Sequence, residues 1–331
     1  MEKRRLGEDL EVAAIGLGCM GMSEFYGPRD DSESVRVLER AVDLGIDFLD
    51  TADMYGPHHN EELIGAFLKG LDGPARAGVK VATKFGIVRK PGAYERSLDN
   101  GPDYARAACE ASLRRLGVER IDLYYVHRVN AAQPIEETME GLARLVEEGK
   151  IARIGLCEVS ARTLRRAHAV HPVTAVQTEY SLWSRGVEDE VLPACRELGV
   201  GFVAYSPLGR GFLTGRFQAG EAFAEGDFRA GLPRFADGAL GENRRITDVI
   251  TEMAEEKGCT PAQLSLAWLL AKGEDIVPIP GTKRLRYLEE NVAAAEIRLS
   301  DDECEALEQA VSSVPVVGER YTPEGMKGVN A

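Results

Sequence analysis

At 331 residues with a formal net charge of −14, the chain has room for one large domain or two ordinary ones, and its acidity argues against nucleic acid or an anionic membrane surface as main partner, since either needs a basic face. No apolar run approaches the ~18 residues of a membrane span, and residues 1–5 lack a signal-peptide core, so a cytoplasmic protein is expected. Cys19, Cys109, Cys157, Cys195, Cys259 and Cys304 show neither CxxC nor zinc spacing and His58 adjoins His59, so free thiols and no metal site are expected.

Residues 2–12 alternate polar and apolar around Gly7 and Asp9, the pattern of a hairpin, expected at the bottom of a barrel. Residues 13–17 read as a strand running into Gly16-Leu-Gly18-Cys-Met-Gly21, which matches the GxGxxG dinucleotide fingerprint of a different fold. That fingerprint needs its third glycine to open a helix. Here Met-Ser-Glu-Phe-Tyr-Gly-Pro follows and helical periodicity starts only near Ser32, so the match is read as accidental. Gly18, Cys19 and Met20 remain as backbone lining a barrel mouth.

A helix is expected at 35–44, then short apolar strands at 46–49, 79–83 and 121–126, each followed by an amphipathic helix, at 61–69, 104–116 and 135–146. Strands recur at 151–156, 173–177, 201–205 and 276–279, and helices at 161–170 (opened by Ser160), 188–198, 246–256 and 285–295. Such alternation implies a parallel sheet with helices outside, and about eight units over roughly 300 residues suit a (β/α)8 TIM barrel. No linker interrupts residues 1–331, so one barrel domain is expected. Residues 213–243, rich in Gly, Phe and charge, read as a long mobile loop over the top face, in position to be a lid.

Asp50, Tyr55, Lys84 and His127 stand at or just beyond strand ends, where one rim can gather them. Four ionisable groups on one rim describe a single proton-handling site, which points to an enzyme. Tyr55 would be the acid, Lys84 a cation lowering its pKa, Asp50 the partner keeping Lys84 charged, and His127 an orienting group or proton relay.

The spacing Asp50-Thr-Ala-Asp-Met-Tyr55, Thr83-Lys84 and Tyr125-Val-His127 resembles the aldo-keto reductase superfamily. The likeness continues through Gly-Leu-Cys-Glu-Val-Ser at 155–160, Gln177-Thr-Glu-Tyr-Ser-Leu-Trp183, Tyr205-Ser-Pro-Leu-Gly-Arg-Gly211, Ile279-Pro-Gly-Thr-Lys283 and Leu288-Glu-Glu-Asn291. It is similar to the branch holding perakine reductase, plant auxin-induced reductases and bacterial homologues. The resemblance implies reversible NAD(P)H-dependent reduction of aldehydes and ketones, in which the carbonyl oxygen becomes an alkoxide that must gain a proton, so the site needs an acid, here Tyr55, beside donors aimed at that oxygen.

Gly281-Thr282-Lys283-Arg284, with Arg286 one turn into a helix, offers backbone amides and positive charge to a phosphate, favouring NADP(H) over NAD(H). The resemblance assigns Thr282 and Lys283 to the 2′-phosphate and Glu290 and Asn291 to the adenosine. It stacks Tyr205 on the nicotinamide, runs Ser206, Pro207, Leu208, Gly209, Arg210 and Gly211 along the pyrophosphate, and puts Asp50 beside the cofactor. Where much of the superfamily has Ser-Asn for the carboxamide, this chain has Cys157-Glu158. A thiol is a weak hydrogen-bond partner, which leaves Glu158 and Gln177 to carry that role.

Tyr26, Met54, Phe85, Arg128 and Trp183 follow strand ends and are candidates for an apolar substrate pocket with one basic group. The tail at 318–331, with Tyr321 and Met326, would fold over the mouth as in relatives. Other readings are a non-enzymatic NADP(H) sensor resembling potassium-channel β subunits, and a dedicated pyridoxal or sugar oxidoreductase. Oligomeric state is open from sequence.

Overall fold

Strands β1 (Lys3–Leu6) and β2 (Leu10–Ala13) pair antiparallel, with Gly7 turning the chain at φ +62°. This computed structural model describes residues 1–89, 96–217 and 223–329, with only the backbone of residue 237. Leu6, Leu10 and Val12 turn inward and are fully buried with Phe48, Leu123, Val203 and Val277. Leu6 sits so close to Gly201 that a Cβ there would stand 2.6 Å from the Leu6 Cα. The hairpin therefore closes the bottom, as its alternation suggested.

Eight parallel strands follow in sequential spatial order, and two short strands form a side hairpin. They are β3 (Leu17–Gly18), β4 (Phe48–Asp50), β5 (Lys80–Phe85), the hairpin β6 (Ile87–Arg89) and β7 (Arg96–Leu98), then β8 (Leu123–Val126), β9 (Ile154–Cys157), β10 (Ala175–Glu179), β11 (Gly201–Tyr205) and β12 (Ile276–Pro278). The barrel closes between β3 and β12. Gly18 bridges Gly281, and the Gly16 amide donates to Pro278 O at 3.0 Å. A Cβ on Gly18 would lie 2.8 Å from Ile279 O, and one on Gly16 2.8 Å from the Phe48 ring. Glycine at 16 and 18 is needed for this close packing beside the seam, which accounts for the first two glycines of the GxGxxG pattern. Gly21 lies in a single 3₁₀ turn, Met20–Met22, and opens no helix.

The helices are α1 (Asp31–Asp43), α2 (His59–Gly70), α3 (Gly73–Gly78), α4 (Pro102–Leu116), α5 (Ile135–Glu147), α6 (Ala161–Val170), α7 (Val191–Leu198), α8 (Asp237–Lys257), α9 (Pro261–Ala271), α10 (Leu285–Ala293) and α11 (Asp301–Ser312). Ser160 caps α6 as expected, its side chain accepting from the Thr163 amide at 3.2 Å. None among the described residues is long and apolar enough to cross a membrane.

Three expectations need correction. Several strands start later than their apolar runs, because Ile46, Ile121 and Val173 are buried in the connections below the sheet, outside the continuous strands. The first barrel strand is 17–18 rather than 13–17, since Ala13 still belongs to the hairpin. Residues 213–243 contain the 3₁₀ turns Phe228–Gly231 and Pro233–Phe235 and the start of α8, with 218–222 outside the described residues. Rings of Phe217, Phe223 and Phe235 pack there within 5.7 to 5.8 Å of one another, an aromatic cluster that needs no periodicity.

Candidate active site

Strand alternation decides which groups enter the mouth. On β5, Lys84 points into the barrel and Phe85 outward, where Phe85 stacks on Tyr124 at 4.9 Å and meets Tyr104 of α4. Phe85 is thus part of the sheet–helix layer, which corrects its reading as a pocket residue. Asp50 ends β4, Lys84 is one residue inside the end of β5, and His127 follows β8 directly. Tyr55 comes from the connection before α2. That connection is pinned by Asn60, whose side chain accepts from Thr51 and donates to Cys19 O at 2.9 Å and to the Ser23 hydroxyl at 2.7 Å.

These four side chains converge. Lys84 Nζ donates to Asp50 Oδ1 at 2.5 Å, to Thr51 O at 2.7 Å and to the Tyr55 hydroxyl at 3.4 Å. Gln177 Nε2 donates to the other Asp50 oxygen at 2.7 Å, so donors on both oxygens favour the ionised carboxylate. The Tyr55 and His127 rings meet edge-on with centroids 5.7 Å apart. Ala52, Met54 and Ile87 supply an apolar wall beside Tyr55.

Burial governs the protonation states. It opposes the charge of Lys84, but Asp50 and then Tyr55 more than offset it and leave the ammonium harder to deprotonate than usual. Burial likewise pushes the Tyr55 phenol up to about 12, with Lys84 pulling the other way. The expected net lowering of Tyr55 is therefore corrected, because desolvation outweighs the neighbouring ammonium. Burial first, then Lys84, Arg128 and Arg96, hold His127 well below its usual value, so the imidazole is neutral at pH 7. Its Nδ1 is buried without a partner. Burial also pushes the Cys157 thiol up to about 12, which favours the unreactive protonated form.

Beside this corner, Glu158 is fully buried at a left-handed φ of +54°. It accepts from the Tyr205 hydroxyl at 2.6 Å, the Glu179 amide at 3.1 Å and Arg320 at 2.8 and 3.2 Å. Burial opposes its charge, but Arg128 and Arg320 prevail and lower its pKa. The tail thus reaches the mouth: Tyr321 shares a 2.9 Å hydrogen bond with the Tyr205 hydroxyl, and Arg210 stacks over its ring at 4.7 Å. Arg320 was not foreseen. Its only sequence signal is a basic–aromatic pair, Arg320-Tyr321, in the tail; residues 330–331 lie outside the described residues.

After β11, Ser206, Gly209, Arg210 and Gly211 all have positive φ, a concave backbone of the kind that receives anions. Arg210 is paired with Glu179 at 2.7 Å. Leu208 O accepts from the Gly211 and Leu213 amides at 3.0 and 3.1 Å, which holds that turn together with Pro207 buried beneath. Across the seam, Thr282 accepts from the Arg284 amide at 3.1 Å just before α10. Lys283 donates to Tyr26 O at 2.6 Å and Pro28 O at 3.0 Å, fastening the loop after β3. Glu290 binds Arg216 at 2.7 Å and Asn291 is buried. Tyr26 meets Phe228 edge-on at 5.3 Å, while Trp183 stacks on Phe212 at 4.1 Å and is buried in that cluster. No group of three or more His, Cys, Asp or Glu among the described residues is placed to hold a metal ion.

Known proteins share this architecture. Glycerol dehydrogenase AKR11B4 from Gluconobacter oxydans is 27% identical with a TM-score of 0.86, the alignment covering 97% of this chain and 98% of that one. The thermostable aldo-keto reductase Tm1743, solved with the inhibitor epalrestat, is 31% identical with a TM-score of 0.75, covering 94% and 100%. Aldo-keto reductase AKR11C1 from Bacillus halodurans, in its holo form, is 27% identical with a TM-score of 0.78, covering 96% and 98%. A family model described as "Aldo/keto reductase family" matches residues 14–312, which take in every strand of the barrel, and the protein therefore belongs to that family of oxidoreductases.

Proposed function

We propose that the protein reversibly reduces small aldehydes and ketones to alcohols with NADPH, using Tyr55 as general acid. The observation that carries this reading is the Lys84 ammonium, held 2.5 Å from Asp50 and 3.4 Å from the Tyr55 hydroxyl beside a neutral His127. Kinship with a protein named as a glycerol dehydrogenase supports alcohol–carbonyl interconversion as the reaction class.

The cofactor reading is supported by the residues. The left-handed turn at Ser206 and Gly209 to Gly211 suits a pyrophosphate. The amides opening α10, with Thr282, Lys283 and Arg286, suit a further phosphate, the reason for preferring NADPH to NADH. Tyr205 and Glu158 would meet the nicotinamide and its carboxamide. Gln177 contributes less directly, because its amide nitrogen is on Asp50. The bound cofactor supplies hydride.

The chain's own groups manage the proton. Tyr55, with its pKa near 12, keeps its proton through neutral pH and is available to donate to a carbonyl oxygen as negative charge develops there. Lys84 then stabilises the phenolate, Asp50 holds Lys84 in place, and neutral His127 can donate one hydrogen bond to the same oxygen.

Tyr55→Phe should lower kcat by roughly 10²- to 10⁴-fold while NADPH Kd stays near wild type, followed by nicotinamide absorbance and binding titration. Near wild-type turnover in that variant would remove Tyr55 from the mechanism. Tighter binding of NADH than NADPH would overturn the cofactor assignment. Multiple turnovers with any aldehyde would separate a reductase from a nucleotide sensor.

A further inference from the structure

We infer that the carbonyl compound taken by this site carries an anionic group, carboxylate or phosphate, which Arg128 receives. This rests on the reductase reading and adds to it the class of substrate.

Three cations near the mouth are matched with carboxylates: Lys84 with Asp50, Arg210 with Glu179, and Arg320 with Glu158. Among the described residues Arg128 has no ion pair, and its guanidinium makes one hydrogen bond, from Nη1 to His127 O at 2.7 Å. It is half-buried; burial opposes its charge, and Tyr205, Glu158 and Tyr321 more than offset that without a direct bond to the guanidinium. Glu158 attracts it from beyond ion-pair distance, but that carboxylate is already engaged by Arg320, the Tyr205 hydroxyl and the Glu179 amide.

A guanidinium has five donors in a planar fork that fits carboxylate or phosphate, so most of its capacity is unused here. Arg96 adds positive charge near it, and among the described residues its guanidinium has no ion pair and donates to Glu324 O at 3.3 Å. A second observation points to the same place: the adjacent residue, His127, is 7% exposed and its Nδ1 has no partner among the described residues. A protein of net charge −14 has thus kept, beside the group that would orient a carbonyl, a guanidinium with no carboxylate at ion-pair distance among the described residues and with donors to spare. An oxo acid or a phosphorylated aldehyde would satisfy that charge while presenting its carbonyl to Tyr55.

The test compares kcat/KM for 4-oxobutanoate with butanal, and for glycolaldehyde phosphate with glycolaldehyde, in wild type, Arg128→Gln and Arg128→Lys. A charge-assisted hydrogen bond corresponds to roughly 10- to 100-fold in affinity, so the wild type should favour at least one anionic substrate over its neutral partner by about 10-fold or more. The favoured pair identifies carboxylate or phosphate as the group read. Arg128→Gln should erase that ratio, and Arg128→Lys should keep part of it. Equal or better use of both neutral partners, or a ratio unchanged in Arg128→Gln, overturns the inference. Calorimetric titration of the purified protein with succinate and with inorganic phosphate judges Arg128 without turnover: binding lost in Arg128→Gln supports it, and binding of neither anion by wild type refutes it. Failure of NADPH to reduce any of the four aldehydes would instead fall on the reductase reading.

Discussion

The two ends of the barrel are built on opposite terms. At the floor, Leu6, Leu10 and Val12 are fully enclosed by apolar neighbours, and Arg4 satisfies Leu270 O, Gly273 O and Ile276 O at 2.6 to 2.7 Å. Among the described residues, Asp53 Oδ1, His127 Nδ1, Thr178 Oγ1 and Trp183 Nε1 are buried without partners at the mouth, and Tyr125 Oη within the barrel. The non-glycine residues with positive φ, Phe25, His58, Glu158, Ser206 and Arg210, also lie in connections that follow barrel strands. Unmatched polarity and strained backbone each cost stability, so their concentration at one end marks where the fold has been spent on binding and chemistry.

Lys84→Met would break this contrast most severely. It leaves Asp50 buried without its cation, and loss of one member of a buried pair costs about 3–5 kcal/mol, which denaturant unfolding would read. Adding Asp50→Asn should restore much of that stability without restoring turnover. If the double variant regained activity, the pair would be serving the fold alone. At the floor, Leu10→Ala should cost about 2–5 kcal/mol by opening a cavity, yet leave kcat/KM within a few-fold of wild type, because it lies on the hairpin at the opposite end of the barrel from the catalytic groups. A large kinetic effect there would show that the two ends are mechanically coupled.

His127 gives the contrast a pH signature. Its folded pKa lies well below the usual 6.5, so above that value both folded and unfolded forms are neutral and it contributes no pH dependence. As pH falls through 6.5 the unfolded chain takes up the proton first, and stability declines by up to about 1.4 kcal/mol per pH unit until the folded value is reached. Thermal melting between pH 7 and 5 should therefore show a steeper fall in wild type than in His127→Gln. Parallel curves would mean that the imidazole is not held neutral.

How much of this was legible follows the same division. Asp50, Tyr55, Lys84 and His127 could be found because each adjoins a strand whose apolar run shows in sequence, and a parallel barrel brings such ends to one rim. Helix α9 was missed because it is apolar on every face, from Ala262 to Trp268, and has no amphipathic period. Its capping box, Thr260 with Gln263, was the available sign, and α11 opens on another, Ser300 with Glu303. The aromatic packing between 212 and 235 and the Arg320–Glu158 pair depend on contacts between distant residues that no local pattern encodes. The state of His127, open from sequence, is set first by burial and then by Lys84, Arg128 and Arg96 approaching from three different strands or their ends.

The smallest effect offers the finest test of strain. Ser206 holds φ +48° without being glycine, a conformation that costs a residue with a side chain of the order of 1 kcal/mol. Ser206→Gly relieves that cost but enlarges the entropy of the unfolded chain, so the net gain should be only about 0.5 kcal/mol. Gly7, at φ +62° in the floor hairpin, is the matched opposite: its conformation already suits glycine, and a Cβ would come within 3.0 Å of Thr174 O. Gly7→Ala should therefore lose more than 1 kcal/mol by strain and crowding together. If denaturant midpoints instead showed both variants destabilised alike, positive φ at the mouth would carry no more strain than at the floor. The contrast between the ends would then rest on unmatched polar groups alone.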